Sequence, residues 1–284
     1  MKLATLRLDG QQCVGIVSDQ GIAVLPLSAG IDAGTLIAAG LSPEQWRNLA
    51  AEATPVPVSA EVSYLPPVIN PRKILCVGLN YADHTKESPY EQPDYPTLFL
   101  RVPTSLVGHG GAIVRPQASD SLDFEGELAV IIGKGGRHIA REHALSHVFG
   151  YSIFNDGSVR EYQFKSPQWT VGKNFDATGG FGPILVTADE LPAGAAGLSL
   201  ETRLNGQVVQ SANTSDMLHD VPALISIISE AITLEPGDVI VAGTPSGIGW
   251  ARNPRLLMRH GDLCEVSIEG IGTLSNPIVD ESTR

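Results

Sequence analysis

The chain has 284 residues, 43% hydrophobic and 18% charged, which is the composition of a globular protein with a sizeable core. Its formal net charge of −12 argues against nucleic acid or an anionic membrane as a partner. No apolar run approaches the roughly 20 residues of a membrane helix, and Lys2 and Arg7 place charge too early for a signal peptide. The three scattered cysteines form no CxxC pair, so we expect reduced, packed thiols in a cytoplasmic protein.

Residues 1–70 predict a small N-terminal α+β domain. Apolar positions alternate over 4–8 and 13–17, which predicts two short strands joined by a turn. Residues 31–53 have helical spacing, and Ser42 is a suitable N-cap within them. Several prolines then mark a connecting segment. This part contains no chemical motif, so we expect it to serve packing or assembly.

Residues 71–284 predict a larger domain with many short strands and few helices. A short helix after Leu79 should end before Pro89, and the clearest helix spans 220–232, with Pro222 near its start. Many short strands with turn signals favour an α+β, mostly β, mixed barrel-like architecture. The predicted strands of this domain are 74–78, 97–101, 112–114, 128–132, 184–186, 198–204, 239–242 and 263–268.

Three carboxylates next to apolar segments predict a metal site. Glu125 and Glu127 are two residues apart before the apolar run 128–132, so on a strand both point to one face. Such carboxylates repel each other and lose hydration, which a divalent cation relieves, and Asp156 after a second apolar segment supplies a third oxygen. A set without His or Cys favours Mg²⁺, Mn²⁺ or Ca²⁺ over Zn²⁺. The competing interpretation is an exposed acidic strand end.

His84 and Glu87 are three residues apart, so on a helix they share a face and can hydrogen-bond. A histidine oriented by a carboxylate is a common general base near neutral pH. Lys173 lies among glycines and aromatic residues, where it would stabilise a developing enolate or bind a carboxylate. The alternatives are a solvated helix face for the pair and a surface position for the lysine.

Arg160 and Gln163 follow Asp156 closely and have the donors to hold a substrate carboxylate, although Arg160 could equally neutralise the acidic cluster. The segment 243–249 reads Gly-Thr-Pro-Ser-Gly-Ile-Gly and is neither a Walker loop nor a G-x-G-x-x-G fingerprint. We interpret it as a loop whose backbone N–H groups and Thr244 hydroxyl face a small ligand. A purely structural turn is the alternative.

These motifs, in this order, resemble the fumarylacetoacetate hydrolase family, in its acylpyruvase and 2-hydroxyhepta-2,4-diene-1,7-dioate isomerase-like branch. The resemblance covers roughly residues 70–281. It rests on Val-Gly-Leu-Asn-Tyr-Ala-Asp-His-Thr-Lys-Glu (77–87), Asp-Phe-Glu-Gly-Glu-Leu-Ala-Val (123–130), Phe-Asn-Asp-Gly-Ser (154–158), Gln-Trp-Thr-Val-Gly-Lys-Asn-Phe-Asp (168–176), Gly-Pro (182–183) and the segment 243–249.

The resemblance implies the family's β-rich catalytic fold, usually in a homodimer, and a bound Mg²⁺ or Mn²⁺. Two stretches depart from the pattern. Arg101 stands where many members have lysine at the acid-recognising end of the site, and this alters the expected anion geometry. The segment 177–183 reads Ala-Thr-Gly-Gly-Phe-Gly-Pro where relatives often carry a Cys-Pro-Leu-Gly-Pro-like stretch, and this alters the expected pocket wall. The residues that match functional positions of the family are Glu125, Glu127 and Asp156 for the metal, His84 and Glu87 for water activation, Lys173 as the active-site lysine, and Arg101, Arg160, Gln163 and Thr244 for the substrate.

The leading functional hypothesis is a metal-dependent hydrolase that cleaves a C–C bond in an acylpyruvate or related 2,4-dioxo acid, giving pyruvate and a carboxylic acid. His84, oriented by Glu87, would activate the attacking water, and Lys173 would stabilise the pyruvate enolate. Such a reaction belongs to aromatic or sugar-acid catabolism. The alternative is oxaloacetate decarboxylation, or isomerase, hydratase or lyase chemistry on a 2-oxo acid. A non-catalytic metal-stabilised scaffold is the third hypothesis.

Overall fold

The computed structural model describes residues 1–26, 28–87 and 91–282. The helices are α1 (Ala33–Ala38), α2 (Pro43–Ala51), α3 (Ala82–Glu87), α4 (Arg160–Gln163) and α5 (Val221–Ala231). The strands are β1 (Lys2–Leu8), β2 (Gln11–Ser18), β3 (Gly21–Val24), β4 (Thr54–Pro55), β5 (Val62–Tyr64), β6 (Ile74–Gly78), β7 (Thr97–Arg101), β8 (Leu106–Val107), β9 (Ile113–Arg115), β10 (Leu122–Asp123), β11 (Gly126–Ile132), β12 (Val148–Asp156), β13 (Ser158–Val159), β14 (Gly179–Thr187), β15 (Ser199–Leu204), β16 (Gln207–Asn213), β17 (Val239–Val241), β18 (Leu263–Ile268) and β19 (Gly272–Asp280).

Local sequence signals set most of these boundaries. Ser42 caps α2 and forms a capping box with Gln45, while Asp220 caps α5 by accepting from the Ala223 N–H. The helix after Leu79 ends at Glu87, and Pro89, expected just beyond it, lies outside the described residues. The interior of β19 contains Pro277, which interrupts its strand pattern and explains why the sequence did not predict this strand.

The largest sheet brings the functional segments together. Its central strands run in the order β14-β12-β11-β17-β6-β7. β12 and β17 are both antiparallel to β11, and β6 is parallel to β17. The start of β11 therefore lies beside the ends of β12, β17 and β6, so the segments that follow these three strands meet at one edge of the sheet. The expected α+β, mostly β architecture is confirmed.

The N-terminal strands extend this same sheet. β1 pairs with β14 through Lys2–Val186 and Leu3–Leu185, and β2, β3 and β4 continue outward from it. The sheet thus crosses residue 70, and the division of the chain there stays a prediction. The three cysteines are buried and free, as expected for packing residues. No helix of the described residues is long and apolar enough to cross a membrane.

A second sheet, ordered β16-β15-β18-β19-β9, packs closely against the start of β11. A Cβ atom at Gly126 would lie 2.2 Å from Thr202 Oγ1 and 3.0 Å from Val266 Cγ1, so only glycine fits between the two sheets. This contact holds the first residues of β11 in a fixed place.

We expect His109 to make the fold sensitive to mild acid. Its Nδ1 accepts from the Ser275 N–H at 3.1 Å, its ring meets Tyr64 edge-on at 5.4 Å, and burial lowers its pKa. His109 binds a proton more readily in the unfolded chain than in the folded protein. The stability that neutral His109 contributes is therefore complete above about pH 6.5 and is lost as the pH falls towards the lowered pKa of the folded state. Urea unfolding of His109→Asn between pH 7 and 5 should show a flatter loss of stability than the wild type. The exposed His143→Asn is the control, and equal slopes for His109→Asn and wild type would contradict the assignment.

Candidate active site

A pocket with about 520 Å³ of empty space opens at this edge of the sheet. Its residues fall into two groups, one polar and ionisable and the other apolar. The polar residues are His84, Glu87, Glu125, Glu127, Arg160, Gln163, Lys173 and Thr244. The apolar group includes Leu79, Phe99, Phe164, Trp169, Ile248 and Trp250.

Glu125, Glu127 and Asp156 form a buried carboxylate cluster behind the polar wall. One oxygen from each lies within 4.8 Å of the other two. The register of the sheet produces this proximity, because Gly126 pairs with Asn155 and the Asp156 N–H donates to the Glu125 carbonyl at 2.8 Å. All three side chains are nearly inaccessible to water, so they are not an exposed acidic strand end. Three oxygen donors of this kind fit a hard divalent cation.

Protein cations neutralise two members of this carboxylate cluster. Lys173 Nζ lies 2.7 Å from Glu125 Oε2 and 2.7 Å from Asp156 Oδ2. Arg160 Nη1 lies 2.6 Å from Glu125 Oε1, and Arg101 forms an ion pair with Asp156. Burial by itself raises the pKa of Glu125, but Lys173 and Arg160 outweigh it and lower the pKa to about 2. Burial by itself lowers the pKa of Lys173, but the neighbouring Asp156 and Glu125 carboxylates outweigh burial and raise the pKa above its ordinary value. The Lys173 side chain therefore stays a charged ammonium group.

Glu127 is the uncompensated member of the cluster. It accepts from the Gly243 N–H at 2.6 Å, and within the described ranges no Lys, Arg or His side chain forms an ion pair with it. Burial, Asp156 and Glu125 together raise the pKa of Glu127 well above its ordinary value. With Asp123 included, the site holds four buried carboxyl groups and three buried cations, which leaves the Glu127 carboxyl group without a cationic partner. A divalent cation would remove this electrostatic cost.

The His84–Glu87 pair forms as expected from its helical spacing. His84 Nδ1 and Glu87 Oε1 are 3.1 Å apart, and both residues line the pocket. Glu87 also accepts from the Gly247 N–H at 3.0 and 2.9 Å and from the Ile248 N–H at 3.3 Å. The pair is therefore anchored at the pocket wall, with its helix held against the glycine-rich loop, and is not a solvated helix face.

The glycine-rich loop, residues 243–249, differs from the expectation that its backbone N–H groups face a ligand. Several of these N–H groups instead bind protein carboxylates, since Gly243 donates to Glu127, Gly247 to Glu87, and Gly249 to Asp123. The Thr244 hydroxyl lines the pocket but donates to the Gly126 carbonyl at 3.1 Å. The loop thus uses these three N–H groups to position protein carboxylates and not a ligand.

Arg101 also lies elsewhere than expected. Its side chain is completely buried and is not part of the pocket wall. It binds Asp156, the Gly157 carbonyl at 3.1 Å and the Thr178 hydroxyl at 2.9 Å. Because every one of these partners is a protein group, Arg101 holds Asp156 in place from behind and is not positioned to contact a substrate.

Arg160 keeps one donor available at the pocket. Its Nε binds Asp123 at 2.9 Å, and its Nη1 binds Glu125 and Gln163 at 2.6 and 2.8 Å. Its Nη2 is buried and has no hydrogen-bond partner among the residues that the structure describes. An unpaired buried guanidinium donor is costly, and a carboxylate in the pocket would satisfy it.

Sequence reasoning missed the role of Asp123. Its carboxylate accepts from the N–H groups of Gly249 and Trp250 at 2.8 and 2.9 Å, and it also binds Arg160. It therefore joins the glycine-rich loop to the arginine of the pocket. The only signal was its place at the start of the acidic motif, which does not distinguish it from a strand-end residue.

The comparisons with known proteins identify the family. Residues 73–279 match the family described as fumarylacetoacetate (FAA) hydrolase C-terminal. The chain is a member of the fumarylacetoacetate hydrolase family. A mitochondrial oxaloacetate tautomerase of Homo sapiens is 42% identical over 235 residues, which are 82% of this chain and 74% of that protein. An oxaloacetate tautomerase of Bacillus subtilis is 42% identical over 223 residues, which are 77% of this chain and 74% of that protein.

Solved structures agree with this family assignment. A fumarylacetoacetate hydrolase from Exiguobacterium antarcticum has a TM-score of 0.87 and 37% identity, and the match covers 99% of this chain and 100% of that one. A maleylpyruvate hydrolase from Sphingobium has a TM-score of 0.81 and 30% identity, with 99% and 100% covered. The family's enzymes include hydrolases, isomerases and tautomerases that act on small organic acids. The expected family and fold are confirmed.

We expect Glu125→Gln and Glu127→Gln to change the stability of the metal-free protein in opposite directions. Glu125→Gln removes the partner of Arg160 and Lys173, and breaking such a buried pair costs about 3–5 kcal/mol. Glu127→Gln keeps an acceptor for Gly243 and removes the ionisable group that is buried without a cationic partner, so the melting temperature should rise by about 2–4 °C per kcal/mol of relief.

Scanning calorimetry with EDTA and with excess Mn²⁺ measures both effects. Mn²⁺ should raise the melting temperature of the wild type, and this increase should be much smaller in Glu127→Gln because a ligand oxygen is lost. A destabilised metal-free Glu127→Gln protein would show that the charge of Glu127 is compensated in some other way.

Proposed function

We propose that the protein catalyses keto–enol tautomerisation of a small 2-oxo acid of the oxaloacetate type, with a divalent cation held by Glu125, Glu127 and Asp156. The observation that carries the proposal is the position of the His84–Glu87 pair in the wall of the same pocket that Glu125 and Glu127 of the carboxylate cluster line. The relatives named oxaloacetate tautomerase, 42% identical, support the same reaction. A cation bound there would polarise the 2-oxo group as a Lewis acid.

His84 is the proton carrier in this proposal. In the enol-to-keto direction His84 donates a proton to C3, the enol oxygen releases its proton to solvent water, and His84 is protonated again from water. Glu87 binds His84 Nδ1, and Nε2, which has no hydrogen-bond partner within residues 1–26, 28–87 and 91–282, is left to exchange the C3 proton.

Lys173 and Arg160 hold the negative charges of the substrate. Lys173 uses two of its three N–H donors on Glu125 and Asp156, so one remains for the oxygen on which enolate charge develops. Since the pKa of Lys173 is raised, it acts as a donor and not as a base. Arg160 Nη2 is the unpaired donor for the substrate carboxylate, with Gln163 beside it.

Hydrolysis of an acylpyruvate is the second candidate, in which His84 would deprotonate a water molecule instead of C3. The apolar outer wall favours it, because Trp169, Trp250 and Phe164 offer a surface for an acyl group. Within the described pocket lining, Arg160 and Lys173 are the cationic residues, and both lie at the inner, acidic end. The second carboxylate of oxaloacetate therefore has no dedicated cation there.

One panel of substrates separates these reactions. Freshly dissolved enol-oxaloacetate, keto-oxaloacetate and acetylpyruvate are incubated with protein and Mg²⁺ or Mn²⁺, or with EDTA, and products are followed by ultraviolet absorbance and NMR. Faster loss of the enol without pyruvate supports tautomerisation. Pyruvate with acetate from acetylpyruvate supports the hydrolase, and pyruvate from oxaloacetate supports a decarboxylase. No acceleration of enol loss with any metal contradicts the proposal.

His84→Gln should lower the tautomerisation rate by about 10²–10⁴-fold, because it removes the proton carrier. Its affinity for Mn²⁺ should equal that of the wild type, since His84 belongs to the pocket wall and not to the carboxylate cluster. The exposed His143→Gln is the matched control. Retention of full activity by His84→Gln would exclude this histidine from the reaction.

We also propose that the protein forms a homodimer. This part of the proposal rests on the family resemblance alone. Sedimentation velocity at several protein concentrations measures the mass directly. A monomer at all concentrations would contradict it.

A further inference from the structure

We propose that Gln210 is a positioning residue that fixes the spacing of the metal ligands and the register of the glycine-rich loop. Gln210 belongs to β16 in the second sheet and is 2% exposed. It is not among the residues that line the pocket. Its position in a strand after an Asn-Gly hairpin gave no sequence signal for a role at the site.

The acceptor of the Gln210 amide holds the peptide between the two glutamates. Its Oε1 accepts from the Gly126 N–H at 2.9 Å. Gly126 is the residue that separates Glu125 from Glu127. This bond therefore fixes the orientation of the backbone from which both carboxylates project.

The donor of the same amide holds the loop. Gln210 Nε2 donates to Thr244 Oγ1 at 2.9 Å and to the Pro245 carbonyl at 2.9 Å. The Thr244 hydroxyl in turn donates to the Gly126 carbonyl at 3.1 Å. Gln210 and Thr244 thus bind the N–H and the C=O of one glycine, and the three residues form a closed hydrogen-bonded ring.

Only a primary amide fulfils these requirements. A carboxylate cannot donate, an ammonium cannot accept, and an apolar side chain leaves the Gly126 N–H and the Pro245 carbonyl without this partner inside the protein. The sheets also leave little room for rearrangement, since Thr202 already touches Gly126. Groups that orient metal ligands in this way typically change metal affinity about 10–100-fold when they are removed.

The test compares Gln210→Met with Asn276→Leu. Asn276 is 1% exposed, and its amide donates to the carbonyls of Gly108 and Gly111 at 2.8 Å each, so it is a buried amide tie of the same kind away from the pocket. Mn²⁺ binding is titrated by the electron paramagnetic resonance signal of free Mn²⁺, and thermal unfolding of the metal-free protein is measured in parallel. Both variants should lose stability.

Gln210→Met should bind Mn²⁺ at least about 10-fold more weakly than the wild type, while Asn276→Leu should stay within about 2-fold. Equal affinity changes in the two variants, or unchanged affinity in Gln210→Met, would overturn the inference. If Gln210→Met does not fold, Gln210→Asn retains the amide at a shorter reach. Gln210→Asn should bind Mn²⁺ more weakly than the wild type, but by less than about 10-fold. An Mn²⁺ affinity equal to that of the wild type would overturn the inference.

The inference rests on the proposed cation site and not on the reaction. Failure of the wild type to bind Mn²⁺ would contradict the cation site itself. Normal binding by the wild type with normal binding by Gln210→Met would contradict the role of Gln210 alone.

Discussion

The site depends on a buried group of carboxylates whose charge the protein leaves partly uncompensated. Lys173, Arg160 and Arg101 neutralise Glu125, Asp156 and Asp123, but Glu127 keeps its charge or its proton at the expense of stability. A protein evolved for stability alone has little reason to keep such a group, because apolar replacements of buried ions are often neutral or stabilising. The unpaired charge is therefore best explained by a cation that joins the cluster.

The glycine-rich loop connects three carboxylates of the site by hydrogen bonds. Its N–H groups bind Glu127 of β11, Glu87 of α3 and Asp123 of β10, three carboxylates that belong to different secondary-structure elements. Glycine permits this because Gly243 and Gly247 have φ of 102° and 104°, and a Cβ at Gly247 would lie 2.3 Å from the Val209 carbonyl.

The sequence predicted the parts of the site that depend on local spacing. Glu125 and Glu127 meet in one cluster as their two-residue spacing predicted, although Glu125 directly precedes β11, and His84 binds Glu87 because helical residues three apart are neighbours. It could not predict contacts set by the packing of distant segments. Gly126 and Gln210 are 84 residues apart, and Arg101 reaches Asp156 across 55 residues, so nothing near either residue reveals its partner. The mostly β architecture followed from strand and turn patterns, whereas the extension of one sheet across residue 70 did not.

The most direct test of the account is diffraction from crystals grown with Mn²⁺ and oxalate, an unreactive mimic of a 2-oxo carboxylate, with data collected across the manganese absorption edge. We expect an anomalous peak bounded by Glu125, Glu127 and Asp156, and oxalate in the pocket within reach of Arg160. An anomalous peak elsewhere, or none in this cluster at saturating Mn²⁺, would contradict the assignment of the carboxylates as metal ligands and, with it, the proposed reaction.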